Sequence, residues 1–244
     1  PFFGGWGTRR FQNIAFVAPP SGVVPPTIMG AVFSLQTAPV SWTFMAFDPN
    51  DRTSDYFPDD LFDDGVNLSL GATWSGELAG RKTSIGVTGT YSTKEGTDLR
   101  EILLPPELVT STRRGSWNTA LQISHALNRS DSRPLGLYLK AAIADGNPNP
   151  IQASIIGGIA GKGLLPGRPR DTYGLGTFYY DFSDDLQDAV STLVHFKNEC
   201  GVEFYYCWEL TPWWHLTADV QWIDPARGDF DDALVLGVHS RLAF

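Results

Sequence analysis

Charged residues are scarce in this sequence, and long apolar runs are absent from it. Only 18% of the 244 residues are Asp, Glu, Lys or Arg, which is below the roughly 25% of an ordinary soluble domain. The longest apolar runs extend over a few residues only, whereas a helix needs about 20 apolar residues to span a bilayer. A helical membrane protein is therefore excluded.

The charge balance and the cysteine content exclude further classes. The chain has 18 basic and 27 acidic side chains, and its net charge of -9 does not favour nucleic acid as a partner. A hydrophobic content of 42% is too high for a disordered chain. The two cysteines, Cys200 and Cys207, are too few for a disulfide scaffold. In one extended strand they would lie about 23 Å apart on opposite faces, so we expect no disulfide between them.

Catalytic motifs are also missing. The sequence contains neither His-Glu-x-x-His nor Gly-x-Ser-x-Gly, and no Ser or Thr follows Lys162 in the glycine-rich stretch 157–163 as a P-loop requires. Ser124 and His125 are neighbours in a predicted strand, so their side chains point to opposite faces and cannot act as a pair. We expect no enzymatic activity.

Alternation of apolar and polar residues with a period of two is abundant and indicates β-strands. Counted back from Phe244, one face of the last three segments is apolar or aromatic at every position except Ser240. The other face carries Glu203, Glu209, Asp219 and Arg241. Each segment has the length of a tilted transmembrane strand, about 9–11 residues.

A soluble antiparallel sheet also alternates, so a second criterion is needed. Short and long connections alternate along the chain, as in outer-membrane barrels. Aromatic residues of the apolar face also cluster near the strand ends, as in the girdles of such barrels. They are Trp42, Trp74, Tyr173, Trp208 and Trp214 at one end, and Trp117, Tyr179 and Trp222 at the other.

We therefore predict an all-β, antiparallel transmembrane β-barrel that forms a single domain over residues 1–244. The alternative is a soluble β-sandwich that binds carbohydrate, which would share the alternation and the aromatic content. About twelve strands are predicted, at 10–17, 27–37, 39–48, 66–77, 81–92, 114–126, 134–145, 151–161, 171–182, 200–211, 213–223 and 233–244. Ser183 followed by two acids and an apolar stripe predicts one helix in a loop.

One predicted loop is strongly acidic. Residues 48–65 contain seven aspartates and a single basic residue, Arg52. The loop is either simply solvated or a binding site for divalent cations, alone or shared with lipid head groups. The spacing of an EF-hand is absent, and no other cofactor is expected.

Several blocks resemble the carbohydrate-selective porin family (OprB-like). The strongest is the C-terminal stretch GVEFYYCWELTPWWHLTADVQWIDPARGDFDDALVLGVHSRLAF. The others are RPRDTYGLGTFYYDFSDDL at 168–186, AAIADGNPNPIQASIIGGIAGKGLLPGR at 141–168 and FDDGVNLSLGATW at 62–74. The N-terminal sixty residues resemble the family less sharply, mainly through VPPTIMGA and FMAFDPN.

The resemblance implies a barrel in the Gram-negative outer membrane that passes sugars such as glucose by passive diffusion through a water-filled lumen. It implies mono- or oligosaccharides as substrates and outer-membrane lipid and lipopolysaccharide as neighbours, with a homo-oligomer left open and no nucleic acid as partner. Family members have sixteen strands, so this chain is either a C-terminal portion that lacks roughly four N-terminal strands or a smaller barrel, and we expect the first.

The function of a porin lies in the shape and lining of its lumen rather than in a catalytic group. Aromatic faces and charged or amide groups are suited to bind sugars. The alternative for each such residue is an ordinary lumen side chain paired with its neighbour on the next strand. The candidates on the polar face are Tyr138, Lys140, Tyr180, Glu203, Tyr205, Asp219, Gln221, His239 and Arg241.

Overall fold

The computed structural model describes residues 3–20, 28–52 and 59–243, and these form a single sheet with little helix. The strands are β1 Gly30–Thr37, β2 Val40–Phe47, β3 Asn67–Leu78, β4 Arg81–Thr97, β5 Thr112–Ala126, β6 Leu135–Ala144, β7 Ile151–Lys162, β8 Thr172–Phe182, β9 Glu199–Thr211, β10 Trp214–Asp224 and β11 Ala233–Leu242. The predicted loop helix is α1, Asp184–Val190. In these ranges no helix has the length and apolarity needed to cross a bilayer.

The sheet is an up-and-down meander, which confirms the predicted all-β antiparallel architecture. Each strand pairs antiparallel with the next, in the order β1 to β11. Within the described ranges, β1 and β11 each have one neighbour. Two-residue turns join β1 to β2, β3 to β4 and β9 to β10, whereas long loops follow β2, β4, β8 and β10. Cys200 and Cys207 are free thiols, as expected.

The apolar face of the sheet is the exposed one. In β9, Phe204 is 42% exposed and Val202 is 38% exposed, whereas the intervening Glu203 is 1% exposed. A soluble sandwich would bury the apolar face and expose the charged one, so the observed order is that of a barrel wall whose outer face meets lipid. The β-sandwich alternative does not fit this arrangement.

The aromatic girdles lie where the sequence predicts them. Trp42 and Trp214 are exposed next to short turns, and Trp117, Tyr179 and Trp222 are exposed towards the long-loop ends of their strands. Such residues anchor a barrel at the two interfaces of the membrane. The short-turn end corresponds to the periplasmic side of outer-membrane barrels.

The predicted strand over 10–17 is wrong, and the described sheet has eleven strands instead of about twelve. Residues Ile14–Phe16 form a 3-10 turn, which begins where the side chain of Asn13 accepts a hydrogen bond from the N–H of Ala15. Phe11 and Phe16 are both completely buried. Five positions apart, they would point to opposite faces of a strand, and only a turn brings both rings to one side.

Candidate functional site

Residues 3–19, called the inner segment below, lie against the inner face of the sheet. Thr172 of β8 donates a hydrogen bond to the carbonyl of Arg9 (2.8 Å), and Thr217 of β10 donates one to the carbonyl of Thr8 (2.7 Å). The ammonium of Lys140 in β6 donates to the carbonyls at positions 16 and 17, at 3.0 and 2.7 Å. Strands from β6 to β10 therefore curve around the inner segment and hold it by its backbone.

Glu203 of β9 is a further anchor of the inner segment. Its two carboxylate oxygens accept hydrogen bonds from the backbone N–H groups of Gln12 (2.6 Å) and Asn13 (2.9 Å). Hydrogen bonds to a charged group contribute about 1.5–3 kcal/mol each. The side-chain amide of Asn13 also donates to Gln221 at 3.1 Å, and Gln221 donates to Asp219 at 2.7 Å.

An aromatic cluster between the inner segment and the wall completes the attachment. The rings of Phe11 and Phe16 stack with their centroids 4.1 Å apart. Tyr205 meets Phe11 edge-on at 4.9 Å, and Tyr138 is tilted against Phe11 at 5.7 Å. Phe178 of β8 meets Phe16 edge-on at 6.1 Å. The lumen thus contains a hydrophobic core of its own, built from the inner segment and the strands around it.

Small residues in the wall make room for this cluster. A Cβ atom at Gly176 would lie 2.6 Å from the ring of Phe16, 2.6 Å from the hydroxyl of Tyr138 and 2.8 Å from the ring of Phe11. Real side chains do not approach so closely, because interiors are packed near the van der Waals limit. Glycine at this position is therefore a condition for seating the inner segment.

Six of the nine sequence-predicted site residues contact the inner segment or its hydrogen-bond chain. They are Tyr138, Lys140, Glu203, Tyr205, Asp219 and Gln221. Tyr180 packs beside Phe178 with ring centroids 5.1 Å apart. His239 and Arg241 lie on β11 and are exposed. The contribution of these residues to passage through the lumen stays a prediction.

Several cavities lie beside the inner segment, and three of them share lining residues. The central cavity, of about 340 Å³, is lined by Gly5, Trp6, Arg10, Val17, Gln122 and Lys140. Gln122 and Lys140 also line the hydroxyl cavity, of about 320 Å³, whose walls include Thr73, Ser75, Ser84, Thr88 and Ser124. Trp6 and Arg10 also line the basic cavity, of about 570 Å³, near the short turns. Trp6, Arg10, Gln122 and Lys140 therefore stand at the borders between neighbouring cavities.

Trp6 and Arg10 are site residues that the predicted strand pattern did not reveal. Both are exposed, and both stand where the central and basic cavities meet. The stretch GGWGTRRF that contains them carries three glycines, which strands disfavour. Gly5 and Gly7 adopt positive φ angles of 121° and 145°. That glycine content is the signal by which the sequence could have marked an irregular segment.

Three connections are tied together at the end opposite the short turns. The side-chain amide of Asn147 donates to Asp98 (2.7 Å) and to Asp185 (2.8 Å), and Arg100 forms an ion pair with Asp185 at 3.0 Å. The hydrogen bond from Asn147 is the main reason why the pKa of Asp98 lies below its ordinary value, and the hydrogen bond from the N–H of Arg100 is the second. Hydrogen bonds from Arg100, which has the larger effect, and from Asn147 lower the pKa of Asp185.

This loop network is expected to be sensitive to acid. A carboxyl group with a lowered folded-state pKa stabilises the fold fully above its unfolded pKa of about 4 and loses this effect as the pH falls through the lower folded-state value. Pepsin should therefore cleave residues 98–111 only well below about pH 4. Arg100→Met should move the onset of cleavage to higher pH, whereas Arg114→Met, whose ion pair with Glu95 lies outside the network, should not. An onset that is the same in both variants would contradict this assignment.

In the acidic loop, the described aspartates are partly neutralised within the chain. Burial raises the pKa of Asp48, but hydrogen bonds from Arg52 and from the N–H groups of Phe62 and Asn50 outweigh it and hold the pKa below its ordinary value. Arg52 also pairs with Asp60 at 2.9 Å. Residues 53–58 of this loop lie outside the described ranges. Among residues 3–20, 28–52 and 59–243 no group of three or more His, Cys, Asp or Glu could hold a metal ion, and a divalent cation at this loop stays a prediction.

An antiparallel meander with an apolar outer face, aromatic girdles and a polar, partly filled inner face defines the class of outer-membrane β-barrel channels. The chain belongs to the OprB family of carbohydrate-selective porins, whose model matches residues 3–244. Proteins of this family are channels of the outer membrane and not enzymes, which confirms the predicted class and location.

A solved structure supports the fold assignment. The chain is similar to the high-pH structure of Pseudomonas putida OprB, with a TM-score of 0.76 and 18% sequence identity. The similarity covers 86% of this chain and 57% of that chain, so this chain spans little more than half the length of the solved porin. No curated protein matches the chain.

Proposed function

We propose that the protein allows sugars to diffuse passively across the outer membrane, with monosaccharides such as glucose as its substrates and the inner segment as the element that sets the size limit. The observation that carries this proposal is the attachment of the inner segment to the wall from β6 to β10, beside cavities with polar linings. A lumen filled on one side admits smaller solutes than an empty one.

The chemistry of the polar space suits a sugar. Trp6 is 56% exposed, and the face of its indole ring can stack on the C–H groups of a pyranose. Gln122 and Arg10 line the same central cavity and offer hydrogen bonds to hydroxyl groups. Its volume of about 340 Å³ is within the range of small-molecule sites, roughly 300–1,000 Å³.

Liposome swelling tests the proposal. The native protein, purified in detergent from outer membranes, is reconstituted and challenged with glucose and with maltotriose at equal osmotic strength. We expect rapid swelling with glucose and much slower swelling with the trisaccharide. Equal rates for both sugars would refute the size limit, and no swelling with either would refute the channel.

Trp6 is expected to contribute directly to sugar binding. An aromatic contact contributes about 1 kcal/mol beyond area burial, so Trp6→Ala should weaken glucose binding roughly fivefold, measured as the inhibition of ion current by glucose in planar bilayers. Trp117→Ala, on the lipid-facing side at 42% exposure, is the matched control and should leave glucose binding unchanged. An equal effect of both substitutions would argue against a contact between sugar and Trp6.

A further inference from the structure

The basic cavity combines an aromatic surface with a concentration of positive charge. Its lining includes four cations, Arg9, Arg10, Lys162 and Arg241, together with Trp6, and no carboxylate is part of it. Two of the cations come from the inner segment, one from the end of β7 and one from β11. They are therefore brought together by the seating of the inner segment and do not simply belong to one solvated turn.

Three of the four cations form no ion pair within 4.0 Å among the described residues. Arg9 forms an ion pair with Glu209 at 3.1 Å, and Glu209 is shared with Arg170 at 3.3 Å. Across the described ranges, the ion pairs within 4.0 Å do not involve Arg10, Lys162 or Arg241. Cations that face one cavity repel one another, and an anion placed between them removes that repulsion and gains attraction.

The shape of the cavity restricts which anion fits. Its volume is about 570 Å³, which is far larger than a bare inorganic ion needs and falls within the range of small-molecule sites, roughly 300–1,000 Å³. The indole of Trp6 offers a face for a sugar ring. Guanidinium groups bind carboxylates and phosphates through two parallel hydrogen bonds.

We propose that the basic cavity is a binding site for monosaccharides that carry an anionic group, either a carboxylate or a phosphate. This inference rests on the proposed function, because the ligand reaches the cavity as a sugar that enters the lumen. The ring stacks on Trp6, and the anionic group lies among Arg10, Lys162 and Arg241. Neutral sugars are not attracted by these cations when they pass the cavity. Sugars with an anionic group are therefore retained longer than neutral sugars at the short-turn end of the lumen.

Planar-bilayer recordings on the native protein test this site. Glucuronate, glucose 6-phosphate, glucose and inorganic phosphate are compared as inhibitors of the ion current. We expect at least one of the two anionic sugars to bind about tenfold more tightly than glucose and than inorganic phosphate. Lys162→Gln should reduce that preference about fivefold. Arg129→Gln should keep it, because Arg129 is a basic residue of the β5–β6 connection that does not line the basic cavity.

The outcomes separate this inference from the function on which it rests. If glucose permeates but both anionic sugars bind no more tightly than glucose, the inference is overturned and the sugar channel stands. If inorganic phosphate binds as tightly as glucose 6-phosphate and glucuronate does not bind, the cavity recognises phosphate alone and the inference is also overturned. If no sugar permeates in the swelling assay, both proposals fail.

Discussion

Replacement of Glu203 by Gln is expected to release the inner segment from the wall and to admit larger sugars. The carboxylate accepts one backbone N–H on each oxygen, from Gln12 and from Asn13. A glutamine amide has one acceptor oxygen and turns an NH₂ group towards the second donor, so a buried N–H loses its partner at a cost of about 1–3 kcal/mol. In liposome swelling, the rate with maltotriose should rise several-fold relative to the rate with glucose.

The same substitution elsewhere on β9 provides the control. Glu199 accepts one hydrogen bond, from the N–H of Ala226, and the amide oxygen of a glutamine can replace it. Glu199→Gln should therefore keep the size limit of the wild type. Both variants must retain the change in gel mobility on boiling that a folded barrel shows. If folded Glu203→Gln excludes maltotriose as the wild type does, Glu203 does not hold the inner segment.

Gly176→Val is expected to displace the inner segment by adding a side chain to the wall, in the space that the aromatic rings occupy. The added side chain would overlap Phe16, Tyr138 and Phe11, each within 2.8 Å of a Cβ at this position. Overpacking of this kind costs typically about 1–3 kcal/mol, and the inner segment can avoid it by leaving the wall. Single-channel conductance should rise, and the maltotriose rate should approach that of Glu203→Gln.

Gly89→Ala on β4 is the matched control for an added side chain in a strand. A Cβ at Gly89 has no neighbouring atom within 4 Å, so this variant should conduct and discriminate as the wild type does. Equal conductance of folded Gly176→Val and Gly89→Ala would mean that the aromatic cluster does not seat the inner segment.

The sheet was predictable from the sequence because the bilayer imposes one rule on every strand. Each strand of β3 to β11 must present apolar residues to lipid and polar residues to the lumen, so a period of two is repeated along the chain. Trp117 and Trp222 could be assigned to the girdles because an aromatic residue on the apolar face near a strand end lies at a membrane interface in every strand. The loop helix α1 carried its own local signal at Ser183.

The inner segment could not be predicted, because its conformation depends on contacts with distant strands. The local sequence around Phe11 and Phe16 suggests a strand. Their observed positions are explained only by their contacts with Tyr138, Tyr205 and Phe178. A sequence also cannot show what a lumen-facing polar residue binds. Glu203 and Lys140 are candidates for sugar binding in the sequence, but in the structure they form hydrogen bonds with backbone groups of the inner segment.

These contacts shift the expected sugar path away from most of the predicted residues. The strongly buried Tyr138, Glu203 and Tyr205 are covered by the inner segment, and we expect them to influence the solute only by holding that segment in place. Trp6 and Arg10 are the residues that this arrangement turns towards the open space. Selectivity is therefore expected to reside in the inner segment, with the wall as its support.

The position of the inner segment can be measured directly by thiol cross-linking. In a variant whose Cys200 and Cys207 are replaced by Ala, cysteines are introduced at Asn13 and Gln221, whose side chains are 3.1 Å apart. A short bifunctional thiol reagent should join them within the folded protein, as read by mass spectrometry of the linked peptides. The pair of Asn13 with Val220, which faces the lipid side at 44% exposure, should stay unlinked. Linkage of neither pair, or equal linkage of both, would contradict an inner segment bound inside the lumen.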